Sequence, residues 1–447
     1  MVIFVPLILL ALIVILAAIN PLFAVVAGVI VIATVLVLRK PTEWLAITFA
    51  AGLLPQSVLG GESALSISLS DCLALLLLLI FAISAAMRKV RPNMGPIFLP
   101  ILLFIAACAL SSIANWRGNG TIVQVIRIVE FTFVLPIIYS AFVRTPAQVD
   151  RCFGMMLVLV TFLGMIGILG FASGSTHGLF LLGMHKNAFG PLLAVGAVVS
   201  LAYIRSQDLT ERQKRWLIAT CLICSMATVF SLSRGAWMGA IGGFLVILSM
   251  RRDWKGVFLL LGIAIPIVAA CWSLLPKESA EYAGDISLHA HTMQFRLDKQ
   301  ENILQLWQSS PWLGIGVGYI KTENPENVYV QTLGETGIIG TIAFVIMLAS
   351  VYVFMAKTYR LAMNKATRSL VTARLTLACA GVFTIPIVQG IVDAYWRRGV
   401  VFLSWAAVGM ALSLYAYMRQ SQSVKQPTVS RPERYAIRRV AKSPTLP

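Results

Sequence analysis

The chain has 447 residues, 58% of them hydrophobic and 12% charged, with a mean hydropathy of +0.85. A soluble protein of that length cannot hide so much apolar surface, so lipid is the solvent for most of it and a soluble enzyme domain is excluded. The net charge of +18 falls in short clusters between apolar runs, which argues against nucleic-acid binding and instead records orientation across a membrane.

The first apolar stretch, from Met1 to Arg39, is broken only by Asn20-Pro21. It is too long for the apolar region of a signal peptide and has no basic start, so it predicts two short spans joined by a tight turn. Further spans follow near 43–57, 70–87, 96–113, 124–143, 152–172, 188–204, 216–232, 235–250, 256–276, 333–356, 370–391 and 398–418. The expectation is an all-α polytopic membrane protein of about 12–14 transmembrane helices over residues 1–418. Basic clusters at Arg39-Lys40, Arg88 to Arg91, Arg205 to Arg215, Arg251 to Lys255, Lys357 to Arg374 and after Met418 occupy every second loop. The positive-inside rule makes those loops, and both termini, cytoplasmic.

Cys221 and Cys224 form a C-x-x-C inside the span that begins near Trp216. On a helix they are packing neighbours, so neither a redox pair nor a metal site is expected. Between spans the longest connection, 277–332, is placed outside. Within it, residues 294–307 ("QFRLDKQENILQLW") set Phe295, Leu297, Ile303, Leu304 and Trp307 among polar groups, which suits an amphipathic helix on the membrane surface. The tail 419–447, basic and proline-containing, is expected to be disordered at the cytoplasmic face.

Polar groups near span ends are costly and need a reason. Arg234, in "SLSRGAWMG", stands at an outer edge between two spans with almost no loop. A snorkelling interfacial arginine is the plain alternative, but a fixed guanidinium beside Gly235 and Gly239 suits bidentate binding of phosphate oxygens. Arg296 opens the surface helix, where a solvated charge is the competing reading. His185, Lys186 and Asn187 open the span of "HKNAFG" from outside, where a helix N-terminus favours anions. Glu326, Asn327 and Tyr329 close the long loop, and Asn327, Gln331 and Glu335 share one helix face that can line a polar cleft.

Taken in order, "HKNAFG", "SLSRGAWMG", Arg296, "PWLGIGVGY" and "ENVYVQTLGETGIIG" resemble the O-antigen ligase and polymerase family of bacterial envelope proteins, over roughly residues 150–400. The resemblance implies a multi-helix glycosyltransferase of GT-C-like architecture in the bacterial inner membrane, with 277–332 as a large periplasmic loop. Its donors would be glycans on undecaprenyl diphosphate, its surroundings membrane lipids, and its candidate protein partners a chain-length regulator or a flippase. No cofactor, metal or nucleic acid is implied. Arg234 and Arg296 would stabilise the departing diphosphate. Ligases of the family usually carry a histidine before the asparagine that here is Asn327; this chain has Glu326, which is closer to the polymerase branch. Glu326 is then the base or the acceptor-orienting group, Asn327 and Tyr329 position the sugar, and a single displacement inverts the anomeric carbon. The resulting expectation is a polysaccharide polymerase for exopolysaccharide, capsule or O-antigen. Transfer of finished glycan to a lipid or protein acceptor is the alternative, and a flippase or transporter of lipid-linked sugars a third reading.

Overall fold

The computed structural model describes residues 67–87, 95–116, 119–172, 186–256, 291–319, 326–365, 368–393 and 399–425, with residues 57–59 and a few single positions besides. The spans expected near 3–19, 21–38 and 256–276, with His185 and the tail beyond Lys425, lie outside these residues, as does all but the end of 43–57.

A short antiparallel ladder pairs β1 (Ser57–Leu59) with β2 (Ile67–Ser68). Every other element among the described residues is helical. They are α1 (Leu69–Ala86), α2 (Phe98–Ala114), α3 (Asn119–Val129), α4 (Leu135–Phe142), α5 (Pro146–Ala172), α6 (Lys186–Ile204), α7 (Glu211–Phe230), α8 (Arg234–Arg251), α9 (His291–Gln308), α10 (Val328–Met363), α11 (Leu370–Gln389) and α12 (Val400–Lys425). Among the described residues six helical stretches are long and apolar enough to cross a membrane, α3 and α4 counting as one, with α5, α6, α10, α11 and α12. The chain is therefore an all-helical, polytopic membrane protein. The expected spans at 216–232 and 235–250 coincide with α7 and α8, which are less apolar than these six.

α3 and α4 are joined by a π-helical turn, Glu130–Val134, where the Leu135 N–H reaches back to the Glu130 carbonyl. Pro136, which has no N–H to donate, follows at the first turn of α4. α12 continues to Lys425, past the end expected at Met418, so the start of the tail is helical.

The core sits around α11. This helix is apolar on all sides and buried on all sides, packed by α8, α12, α6 and α10. α8 comes close because its glycines face α11. A Cβ at Gly239 would lie 2.9 Å from the Ile385 carbonyl oxygen, and one at Gly243 3.2 Å from that of Gly381. Gly235, where a Cβ would stand 3.1 Å from Gln389 Cγ, faces α11 in the same way. Cys224 is likewise a packing residue, its sulfur 2.7 Å from where a Cβ on Gly196 would stand.

One end of the bundle is tied by a buried guanidinium. Arg374, near the start of α11, pairs with Asp208 of the α6–α7 loop and with Asp150 of α5 at 3.1 Å, and lies over the Tyr203 ring. Three elements meet on one charge, which would be costly to leave unpaired. Arg205 and Arg251 lie at the same end, joined by a 2.9 Å bond from Arg251 Nη2 to the Arg205 carbonyl.

Candidate active site

The other end collects nearly all the polar positions that the sequence singled out. Three helices begin there. Lys186 and Asn187 open α6, Arg234 opens α8 and Asn327 caps α10. Each start carries the positive end of a helix dipole. Ser233 caps α8 through its Oγ, which accepts from the Ala236 N–H at 3.4 Å. Asn327 Oδ1 accepts from the N–H groups of Tyr329 and Val330, at 3.0 and 3.2 Å.

The end of α11 joins these starts together. The Val328 N–H donates to the Gly390 carbonyl at 2.7 Å. Gln389 Nε2 donates at 3.0 Å both to the Asn187 carbonyl and to Asp393 Oδ2. Gly235, next to Arg234, packs on Gln389, where a Cβ would stand 3.1 Å from Cγ. Asp393 is 2% exposed and Gln389 5%. Sequence reasoning passed over both. The signal was a lone carboxylate, Asp393, directly after the apolar run of α11.

Arg296, on α9, forms an ion pair with Glu326, and both side chains are about a quarter exposed. α9 is the helix expected over 294–307, and it packs on α10. Glu326 has a φ of 50°, a left-handed conformation that is costly for a residue with a side chain. Leu232, two residues before Arg234, is held in the same way with a φ of 54°. Two of the strained non-glycine positions therefore adjoin the charges of this end.

Other expected site residues are occupied within the fold. The Tyr329 hydroxyl donates to the Ile387 carbonyl at 3.1 Å, and its ring meets Phe344 edge-on. Gln331 Nε2 donates to Glu335 Oε1 at 3.2 Å, and the Gly318 N–H donates to the same oxygen at 3.1 Å. Glu335 is 4% exposed. The shared face of Gln331 and Glu335 is real, and it is filled by the 311–319 loop.

That loop locks into a break in α10. Gly337 leaves the helical conformation at φ 64°, ψ −167°, which frees backbone groups on both sides of it. Ile315 N–H then donates to Gly334 O at 2.9 Å, and Gly316 N–H to Glu335 O at 3.1 Å. In return Ile338 N–H donates to Pro311 O at 2.9 Å. Only glycine fits at the crossing: a Cβ on Gly337 would sit 2.3 Å from Trp312 O, and one on Gly314 2.4 Å from the Glu335 carbonyl carbon. α2 closes the joint from behind, with Ser111 Oγ donating to Glu335 O at 2.6 Å and Asn115 Nδ2 to Gly314 O at 3.0 Å.

This end of the bundle thus presents three helix N-termini, the cations Lys186, Arg234 and Arg296, and the carboxylates Glu326 and Asp393. Among the described residues no three His, Cys, Asp or Glu side chains cluster closely enough to share an ion. Such an arrangement suits a large anion next to a group able to take a proton.

Residues 219–345, from α7 through the first half of α10, match the model of the family described as O-antigen ligase. The match spans Arg234, Arg296, the 311–319 loop and Glu326. A comparison with curated proteins found no match.

Proposed function

We propose that the protein joins glycan repeat units carried on undecaprenyl diphosphate, as a polysaccharide polymerase at the periplasmic face of the inner membrane; the match of residues 219–345 to the O-antigen ligase family model supports glycan transfer. The observation that carries this reading is the gathering of Arg234, Lys186 and the Arg296–Glu326 pair at one end of a membrane bundle. A lipid diphosphate needs fixed cations and helix N-termini at the interface, and a second sugar needs a base beside them.

In the proposed reaction a hydroxyl oxygen of the acceptor glycan attacks the anomeric carbon of the donor. The bond from that carbon to the phosphate oxygen breaks, and the diphosphate departs with the electron pair. The hydroxyl proton passes to the Glu326 carboxylate. Arg234 and Arg296 stabilise the charge that grows on the diphosphate, without a metal ion. A guanidinium has five N–H donors, so Arg296 can hold Glu326 and a phosphate oxygen together. The backbone at Glu326 is anchored by the cap at Asn327, and Tyr329 serves by fixing α10 on α11. Single displacement inverts the configuration at the anomeric carbon.

Replacing Arg234 by Ala is expected to lower polymer formation by about 10²-fold or more, with the protein still present in the membrane at normal levels. Arg234→Lys keeps the charge, loses the fork and is expected to fall between the two. Full-length polymer from Arg234→Ala would remove the central assignment. The family description favours a second reading, transfer of finished glycan to another acceptor. Radiolabelled repeat units separate the two: a polymerase extends them into a ladder, and a ligase leaves them short.

A further inference from the structure

At the end of the bundle opposite the candidate active site, a cleft of about 550 Å³ opens between the last turns of α8 and α10. α8 has 18 residues, which puts this cleft roughly 27 Å along the helix from Arg234. Its wall carries Arg251, Arg252, Tyr359 and Arg360, with Met250 and Met363 between them.

The three arginines differ in what holds them. Arg251 is tied to the Arg205 carbonyl through one nitrogen, at 2.9 Å. Arg252 takes a left-handed φ of 56°, and its N–H bonds back to the Leu248 and Ser249 carbonyls, so the backbone of this helix end is closed. Its side chain, like that of Arg360, has no carboxylate partner among the described residues. The neighbouring carboxylate, Asp253, is taken by Arg205 and by the Gly256 N–H at 2.9 Å. Unneutralised guanidinium groups thus face a cleft whose rim is apolar. Leu245 and Val353, one to two turns further in, are exposed on the lipid-facing sides of the same helices, and Trp254 beside the cleft is an exposed aromatic of the interfacial kind.

We propose that this cleft binds the phosphate headgroup of an anionic membrane phospholipid, with Arg252 and Arg360 on the phosphate oxygens and the acyl chains along α8 and α10. Basic pockets between helix ends suit such headgroups. The apolar flank favours a lipid over free phosphate, which would use only the cationic part.

The test uses the full-length protein in detergent micelles and follows its melting temperature. Phosphatidylglycerol, phosphatidylcholine and inorganic phosphate are titrated separately. Phosphatidylglycerol is expected to raise the melting temperature, with neither of the others doing so. In the Arg252→Asn, Arg360→Gln double variant, half-saturation is expected at roughly 30-fold more lipid. Asn tolerates the left-handed backbone, and Arg360→Gln alone, on an exposed helix face, is expected to give an intermediate shift. Arg212→Gln with Arg215→Gln removes the same charge at the same end outside the cleft, and is expected to leave half-saturation in place. An unchanged titration in the double variant would overturn the proposal. So would equal weakening in the control, or equal stabilisation by inorganic phosphate.

Discussion

Glu326 combines three features that rarely meet in one residue: an ion pair with Arg296, a left-handed backbone and a place directly before a helix cap. A strained conformation persists where its surroundings insist on it, and such strain gathers at functional positions. The strain can be separated from the charge. Glu326→Ala and Glu326→Gly both lose the ion pair, and only glycine relieves the backbone. Glu326→Gly is expected to be more stable than Glu326→Ala by about 1 kcal/mol in thermal melts, with transfer lost in both. Equal stability would mean that no strain is stored there. The sequence shows a glutamate at 326, where the resemblance implies a histidine in ligases; its left-handed backbone and its pairing with Arg296 of α9 emerge only in the fold.

Among the elements, α10 has 36 residues. An unbroken helix of that length would run to roughly 54 Å, well beyond a hydrocarbon core of about 30 Å. The break at Gly337 divides it into a short segment that carries the site residues and a long apolar span. It also makes the joint that holds the 311–319 loop. Gly337→Ala would put a methyl into Trp312 O at a left-handed φ, so a loss of about 1–3 kcal/mol is expected, with transfer reduced as the loop detaches from Glu335. Gly154→Ala, where a Cβ meets nothing within 4 Å, is the control and is expected to be neutral or slightly stabilising. Melting curves and polymer yield for both variants check this. The glycines of "PWLGIGVGY" and "GETGIIG" were conspicuous in the sequence. That they answer one another across the joint was not legible, because the pairing is between backbones distant in sequence.

For the whole molecule, the two ends divide the work. One carries the candidate site; the other carries Arg205, Arg251, Arg252, Arg360 and the Arg374 clamp. The alternation of spans read from charge placed the four marked stretches on one side, and the helices bring them to one end. Which end faces the periplasm can be tested with an impermeant thiol reagent, on a background without native cysteines. A cysteine at Asn302, exposed on α9, is expected to be labelled in intact spheroplasts. One at Lys365, exposed after α10, is expected to be labelled only after the membrane is opened. The reverse pattern would put the site in the cytoplasm and end the proposed function.

Hydropathy alone determined where α1 to α8 and α10 to α12 lie, to within a few residues at most ends, because lipid demands long apolar segments with their backbone bonds satisfied internally. Motif order alone pointed to a family resemblance over roughly residues 150–400, within which the family model matches 219–345. Only the tertiary structure decided that Glu335 serves the loop, that Glu326 pairs with Arg296, and that Gln389 and Asp393 join the candidate site. Those outcomes depend on which helix ends meet. Helix packing against α11 sets that, through small residues and bonds that no local pattern records.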